Sequence, residues 1–78
     1  MRLISEIAKD IRVEWGAKVN YAAKPYLDAM RYIDMPGDDY GLDSAKDIVV
    51  RFLYNASSFR GERARELKGE LKDIFNIK

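Results

Sequence analysis

Apolar side chains recur at spacings of three and four along nearly the whole chain, the pattern of helices that bury one face. Leu3, Ile4, Ile7, Ala8, Ile11 and Trp15 form the first stripe, with Arg2, Glu6, Lys9 and Arg12 opposite. Val13 falls on the polar side as a single exposed apolar residue. Gly16 supplies a stop signal. A second stripe runs through Ala22, Ala23, Tyr26, Ala29, Met30 and Ile33. Pro25 fits only in the first turn of a helix, where its missing N–H is not needed, so this helix is predicted to begin within 22–25.

Met35 to Gly41 reads as a loop, because Pro-Gly and two aspartates favour turns over helix. The third helix is predicted to start at Asp43 or Ser44, with Ser44 and Asp47 in the spacing of a capping box. Ala45, Ile48, Val49, Phe52, Leu53 and Ala56 line its inner face. The polar run Asn55 to Ser58 ends it, and Ser58 can cap the next. The last helix carries Ala64, Leu67, Leu71, Ile74 and Phe75 on one side, and Gly69 within it costs up to ~1 kcal/mol relative to alanine. No strand pattern, sustained heptad, repeat or low-complexity tract is present. The expected fold class is therefore all-α: one domain over residues 1–78, a compact bundle of about four short amphipathic helices that must bury one another's stripes.

Composition narrows the chemistry. The chain has 78 residues, enough for one core, and it has no cysteine and no histidine. Thiol nucleophiles, disulfides, zinc knuckles and the commonest general base are thereby excluded, and no serine has a histidine to activate it. The expectation is a protein that is not an enzyme, with no cofactor and no metal. The N-terminus meets charge too early for a signal peptide, and no apolar run approaches membrane length, so a cytoplasmic setting is expected.

The net charge of +1 is a cancellation. Residues 1–25 carry five basic and three acidic groups (+2), residues 26–50 two and six (−4), and residues 51–78 seven and four (+3). The acidic middle holds Asp34, Asp38, Asp39, Asp43 and Asp47. Asp39, Gly41 and Asp43 approach a calcium loop but lack its closing glutamate. Solvated turns and caps account for these aspartates; beside Tyr40 they could also dock a basic protein surface. The basic end, Arg60, Arg63, Arg65, Lys68 and Lys72, would place Arg60 and Arg63 at the start of a recognition helix if Asn55 to Ser58 were a helix-turn-helix turn. Glu62, Glu66, Glu70 and Asp73 are interleaved with these bases, which predicts a largely cancelled field.

Among the aromatic residues, Trp15, Tyr26, Phe52, Phe59 and Phe75 fall on or near core stripes, while Tyr32, Tyr40 and Tyr54 do not. Val50 and Tyr54, one turn apart on the polar side of the third helix, form a candidate contact pair for a partner or for a second copy in a homodimer.

The run Tyr21-Ala22-Ala23-Lys24-Pro25-Tyr26-Leu27-Asp28-Ala29-Met30, then Tyr40-Gly41-Leu42-Asp43-Ser44-Ala45-Lys46, resembles a family of small helical proteins of bacteriophages and prophages. Phe52-Leu53-Tyr54-Asn55-Ala56, Phe59-Arg60-Gly61-Glu62 and Lys68-Gly69-Glu70-Leu71 are similar to the same family, so the resemblance spans nearly the whole chain. It implies a phage accessory product that binds a host or phage protein, with antagonism of a host defence or regulatory complex as one form. It supplies no site.

The expected function is thus a non-enzymatic interaction module, with Asp38, Asp39 and Tyr40 in the loop and Val50 with Tyr54 on the third helix as contact residues. The competing expectation is a nucleic-acid-binding protein using Arg60, Arg63 and Lys68. A virion structural or assembly component is a third.

Overall fold

The computed structural model describes residues 2–77 and contains four α-helices: α1 Ile4–Trp15, α2 Lys24–Met30, α3 Ala45–Tyr54 and α4 Glu62–Ile74. A 3-10 turn, Gly16–Lys18, follows α1, and two short strands, β1 Asp39–Tyr40 and β2 Asp43–Ser44, precede α3. The chain is mostly helical, but the expected all-α class omits this antiparallel hairpin, which pairs Asp39 with Ser44 and Tyr40 with Asp43. Strands of two residues are too short to show alternation. The hairpin rests on its two-residue turn, Gly41-Leu42, in which Gly41 takes a φ of +64° that glycine adopts freely.

Side chains satisfy free N–H groups at the starts of α1 and α3, whereas α2 and α4 begin at a proline turn and a glycine without a side-chain cap. Glu6 Oε1 accepts from Leu3 N at 3.0 Å, and Asp34 O accepts from Ile4 N at 3.0 Å. Leu3 is therefore the cap of α1 and partly exposed, rather than a member of the buried stripe. Pro25 occupies the first turn of α2, within the expected range. That start makes Ala23, Leu27 and Met30 the fully buried residues, while Ala22 is exposed. Ser44 Oγ accepts from Asp47 N at 3.2 Å and caps α3. Ser58 does not cap α4; Gly61 does, with φ 111° and ψ 175° and no side-chain cap.

Packing joins α4 to α1 and α3 to α2, with α1 also against α2. The core runs through Ile4, Ile7, Ile11, Leu27, Met30, Ile33, Val49, Phe52, Leu67 and Leu71, all essentially inaccessible, and holds no charged or polar residue among those described. At its far end Trp15 stacks on Phe59 (ring centroids 4.9 Å, 21° between planes) and meets Phe52 edge-on at 6.2 Å. This cluster ties the α3–α4 connection to the end of α1. The radius of gyration is 11.1 Å, against roughly 11.5 Å for a compact chain of this length, so the short elements close into a full globule. No described helix is long and apolar enough to cross a membrane.

Candidate functional site

The acidic loop residues divide into structural and free groups. Asp38 is committed to the loop: its Oδ2 accepts from Asp34 N and Met35 N, both at 3.1 Å, and its carbonyl accepts from Ala45 N at 3.0 Å. Asp34 accepts from Ser5 Oγ at 2.5 Å, and Asp43 lies 4.0 Å from Arg51. Asp39 and Asp47 have no basic partner among the described residues and are exposed. Asp39 and Asp43 are not cross-strand partners, and no described group of three or more acidic residues is arranged to hold a metal ion.

What the hairpin adds is an aromatic pair. Tyr40 stacks on Tyr32 with ring centroids 6.2 Å apart and 28° between planes, and both rings stay exposed. Met35 in the same loop is exposed, and Leu42 at the hairpin tip is fully so. Of these, Tyr32 was expected only to lie off the core stripes, and neither it nor Met35 nor Leu42 was among the expected contact residues. Tyr-Gly-Leu-Asp across a two-residue turn was the signal available, since such a turn pushes its second residue into solvent.

Val50 and Tyr54 form a separate surface, displaced from the hairpin along α3. Tyr54 is 83% exposed and Val50 half-buried, and together with Leu53, Lys72 and Ile77 they line an open depression of about 430 Å³. The five residues proposed together as partner contacts therefore belong to two places.

The basic residues are also redistributed. Arg60 lies before α4, in a connection that spans 55–61 and is longer than the three or four residues of a helix-turn-helix turn. Its Nε donates to Ser57 O at 3.2 Å. Arg63 turns toward α1, bonding Asp10 at 3.3 Å and Glu66 at 3.1 Å. Arg2 completes that seam, donating to Glu70 at 2.9 and 2.5 Å and pairing with Asp10. Hydrogen bonds from Arg2 hold the Asp10 and Glu70 carboxyls below the usual range, and the same bonds raise the Arg2 guanidinium.

The expected cancellation of charge on α4 does not occur in three dimensions. At about 100° per residue, Arg65, Lys68 and Lys72 share one face spanning about 60°, while Glu62, Glu66, Glu70 and Asp73 occupy the adjacent one. Arg60, Arg65, Lys68 and Lys72 have no carboxylate within ion-pair distance among the described residues. With Phe59, Gly61 and Gly69 they line an open depression of about 450 Å³. Lys68 is half-buried with its ammonium 5.6 Å from the Phe59 ring centroid; burial, then the Lys72 and Arg60 charges, hold it below the usual lysine range. Of the three residues expected to contact nucleic acid, Arg60 and Lys68 share this face and Arg63 does not.

No family model, curated protein or solved structure matches this chain.

Proposed function

We propose that this chain is a small non-enzymatic binding protein whose hairpin end docks onto a partner protein. The observation that carries this reading is the exposed Tyr32–Tyr40 stack, with Met35 and Leu42 in the same loop and hairpin and unpaired Asp39 beside it. Tyrosine and methionine are enriched at interface centres and charge at their rims, so the partner is a protein with basic groups around an apolar recess. An accessory role for a phage or prophage, including antagonism of a host defence or regulatory complex, is the setting we favour. The absence of histidine and cysteine supports a role by contact rather than by catalysis.

The test is affinity capture from cells with the tagged chain, repeated with variants. A specific protein should be retained by the wild type and lost with Tyr40→Ala, Leu42→Ser and Asp39→Lys. Asp38 is a poor probe, because replacing it removes two loop hydrogen bonds. A partner held equally by all three variants overturns the assignment of this surface.

A further inference from the structure

The basic face of α4 has no role in hairpin docking. Four cations gather there without a counter-charge, although α4 carries four carboxylates that could have supplied one. Like charges at Lys68 and Lys72, four apart on a helix, destabilise it. An arrangement that sets like charges side by side while Glu66 and Glu70 serve Arg63 and Arg2 favours an anion that is not part of the chain. Gly69 strengthens the point. It lies inside α4, where glycine weakens a helix, yet a methyl group there would meet nothing within 4 Å. Its lack of a side chain serves no internal packing, and it opens the helix backbone to whatever occupies the depression.

The shape of the anion follows from what adjoins the cations. Lys72 borders two depressions, one lined by bases and the other by Val50, Leu53, exposed Tyr54 and Ile77. Cations along a track beside an exposed aromatic ring are the elements that bind single-stranded nucleic acid, phosphates on the first and a base face on the second. Duplex reading is disfavoured by the first turn of α4. A major-groove helix presents donors there, whereas this one presents Glu62 and an Arg63 already bonded to Asp10 and Glu66. An acidic protein would satisfy the cations but has no use for a stacking ring.

We propose that the α4 face formed by Arg60, Arg65, Lys68 and Lys72, with Tyr54 beside it, binds a single-stranded oligonucleotide without sequence preference.

Fluorescence anisotropy tests this with a labelled single strand of about 15 nucleotides, within the range of known single-strand site sizes. Binding is expected at about 50 mM salt, with log K falling against log salt at a slope between about −2 and −3, as neutralising three or four phosphates requires. Lys72→Gln or Arg65→Gln should weaken binding and reduce the slope by about 0.7 each. Tyr54→Ala should weaken it about fivefold or more at unchanged slope. These side chains are exposed, so unchanged circular dichroism and a cooperative melt no lower than that of the wild type confirm that the variants remain folded. No binding by the wild type at low salt overturns the proposal. So does equal affinity for a duplex of the same sequence, or equal competition by polyglutamate, which would mark a site for duplex or for acidic protein. Tyr40→Ala should leave oligonucleotide binding unchanged, which separates this face from the hairpin surface.

Discussion

The two charged faces of α4 both carry basic side chains, and those bases behave oppositely. On one, Arg63, Glu66 and Glu70 join Arg2 and Asp10 from the N-terminal region in a seam that consumes its charges internally. On the other, Arg65, Lys68 and Lys72 join Arg60 and have no partner among the described residues. A helix of near-neutral sequence thus becomes strongly dipolar across its width. Adjacent positions in sequence lie about 100° apart on a helix, so charge that averages out along a window can still separate by face. The first face contributes to folding. The second costs stability and is open to ligands.

The rotation of α4 decides which charges go where; burial of Ala64, Leu67 and Leu71 fixes it, and the turn at Gly61 leads the chain into that orientation. Gly61 adopts φ 111° with ψ 175°, a combination nearly closed to other residues, and an added Cβ would meet nothing within 4 Å. Gly61→Ala should therefore cost on the order of 1–3 kcal/mol through the backbone alone. Chemical denaturation followed by the fluorescence of the single tryptophan would measure it, because Trp15 stacks on Phe59 just ahead of this turn. A loss under about 0.5 kcal/mol would show that the turn relaxes easily around the added methyl group.

How much of this was legible beforehand depended on the range of the interaction. Helix positions followed from three-and-four spacing, and Pro25, Ser44 and Gly16 marked ends because their constraints are local. Leu27 was missing from the predicted second stripe although it lies four residues after Ala23 and three before Met30, the spacing that buries all three on one face. The hairpin was invisible because two-residue strands have no period. The partners of Arg2, at Glu70 and Asp10, depend on how α1 and α4 meet, which periodicity does not specify. Asp38 and Tyr40 look alike as exposed loop residues in the sequence. In the fold one holds the loop together and the other presents a ring.

The paired face can be probed next. Arg2→Ala should destabilise the chain by about 1 kcal/mol or less, since these groups are partly exposed and Arg63 still serves Asp10. Its pH dependence is more telling than its size. Asp10 and Glu70 titrate lower in the folded chain than when unfolded, because Arg2 hydrogen-bonds their charged forms. The unfolded chain therefore binds protons first as pH falls. The stabilisation is complete above the ordinary carboxylate range and drains as pH drops through it toward the lower folded values. Denaturation midpoints between neutral pH and the acid limit should fall more steeply for the wild type than for Arg2→Ala. Parallel profiles would mean that the seam contributes no net stability.

The unpaired face makes the smallest prediction, and its sign is the informative part. Lys68 is held in its charged form against burial and against Lys72 and Arg60, so below its lowered folded pKa it is a standing cost to the fold. Lys68→Met keeps a flexible chain over the Phe59 ring, where sulfur also packs well, and removes the repulsion. Melting temperature should rise slightly, by the equivalent of about 0.3 kcal/mol, the size of one like-charge pair on a helix. The gain should shrink as salt screens the remaining charges. The same substitution should weaken oligonucleotide binding, because it deletes a phosphate contact. A variant that is more stable and binds less would show that the charge is retained against the interest of the fold. If Lys68→Met instead loses stability at every salt concentration, the lysine is there for its contact with Phe59, and the contrast between the two faces reduces to packing.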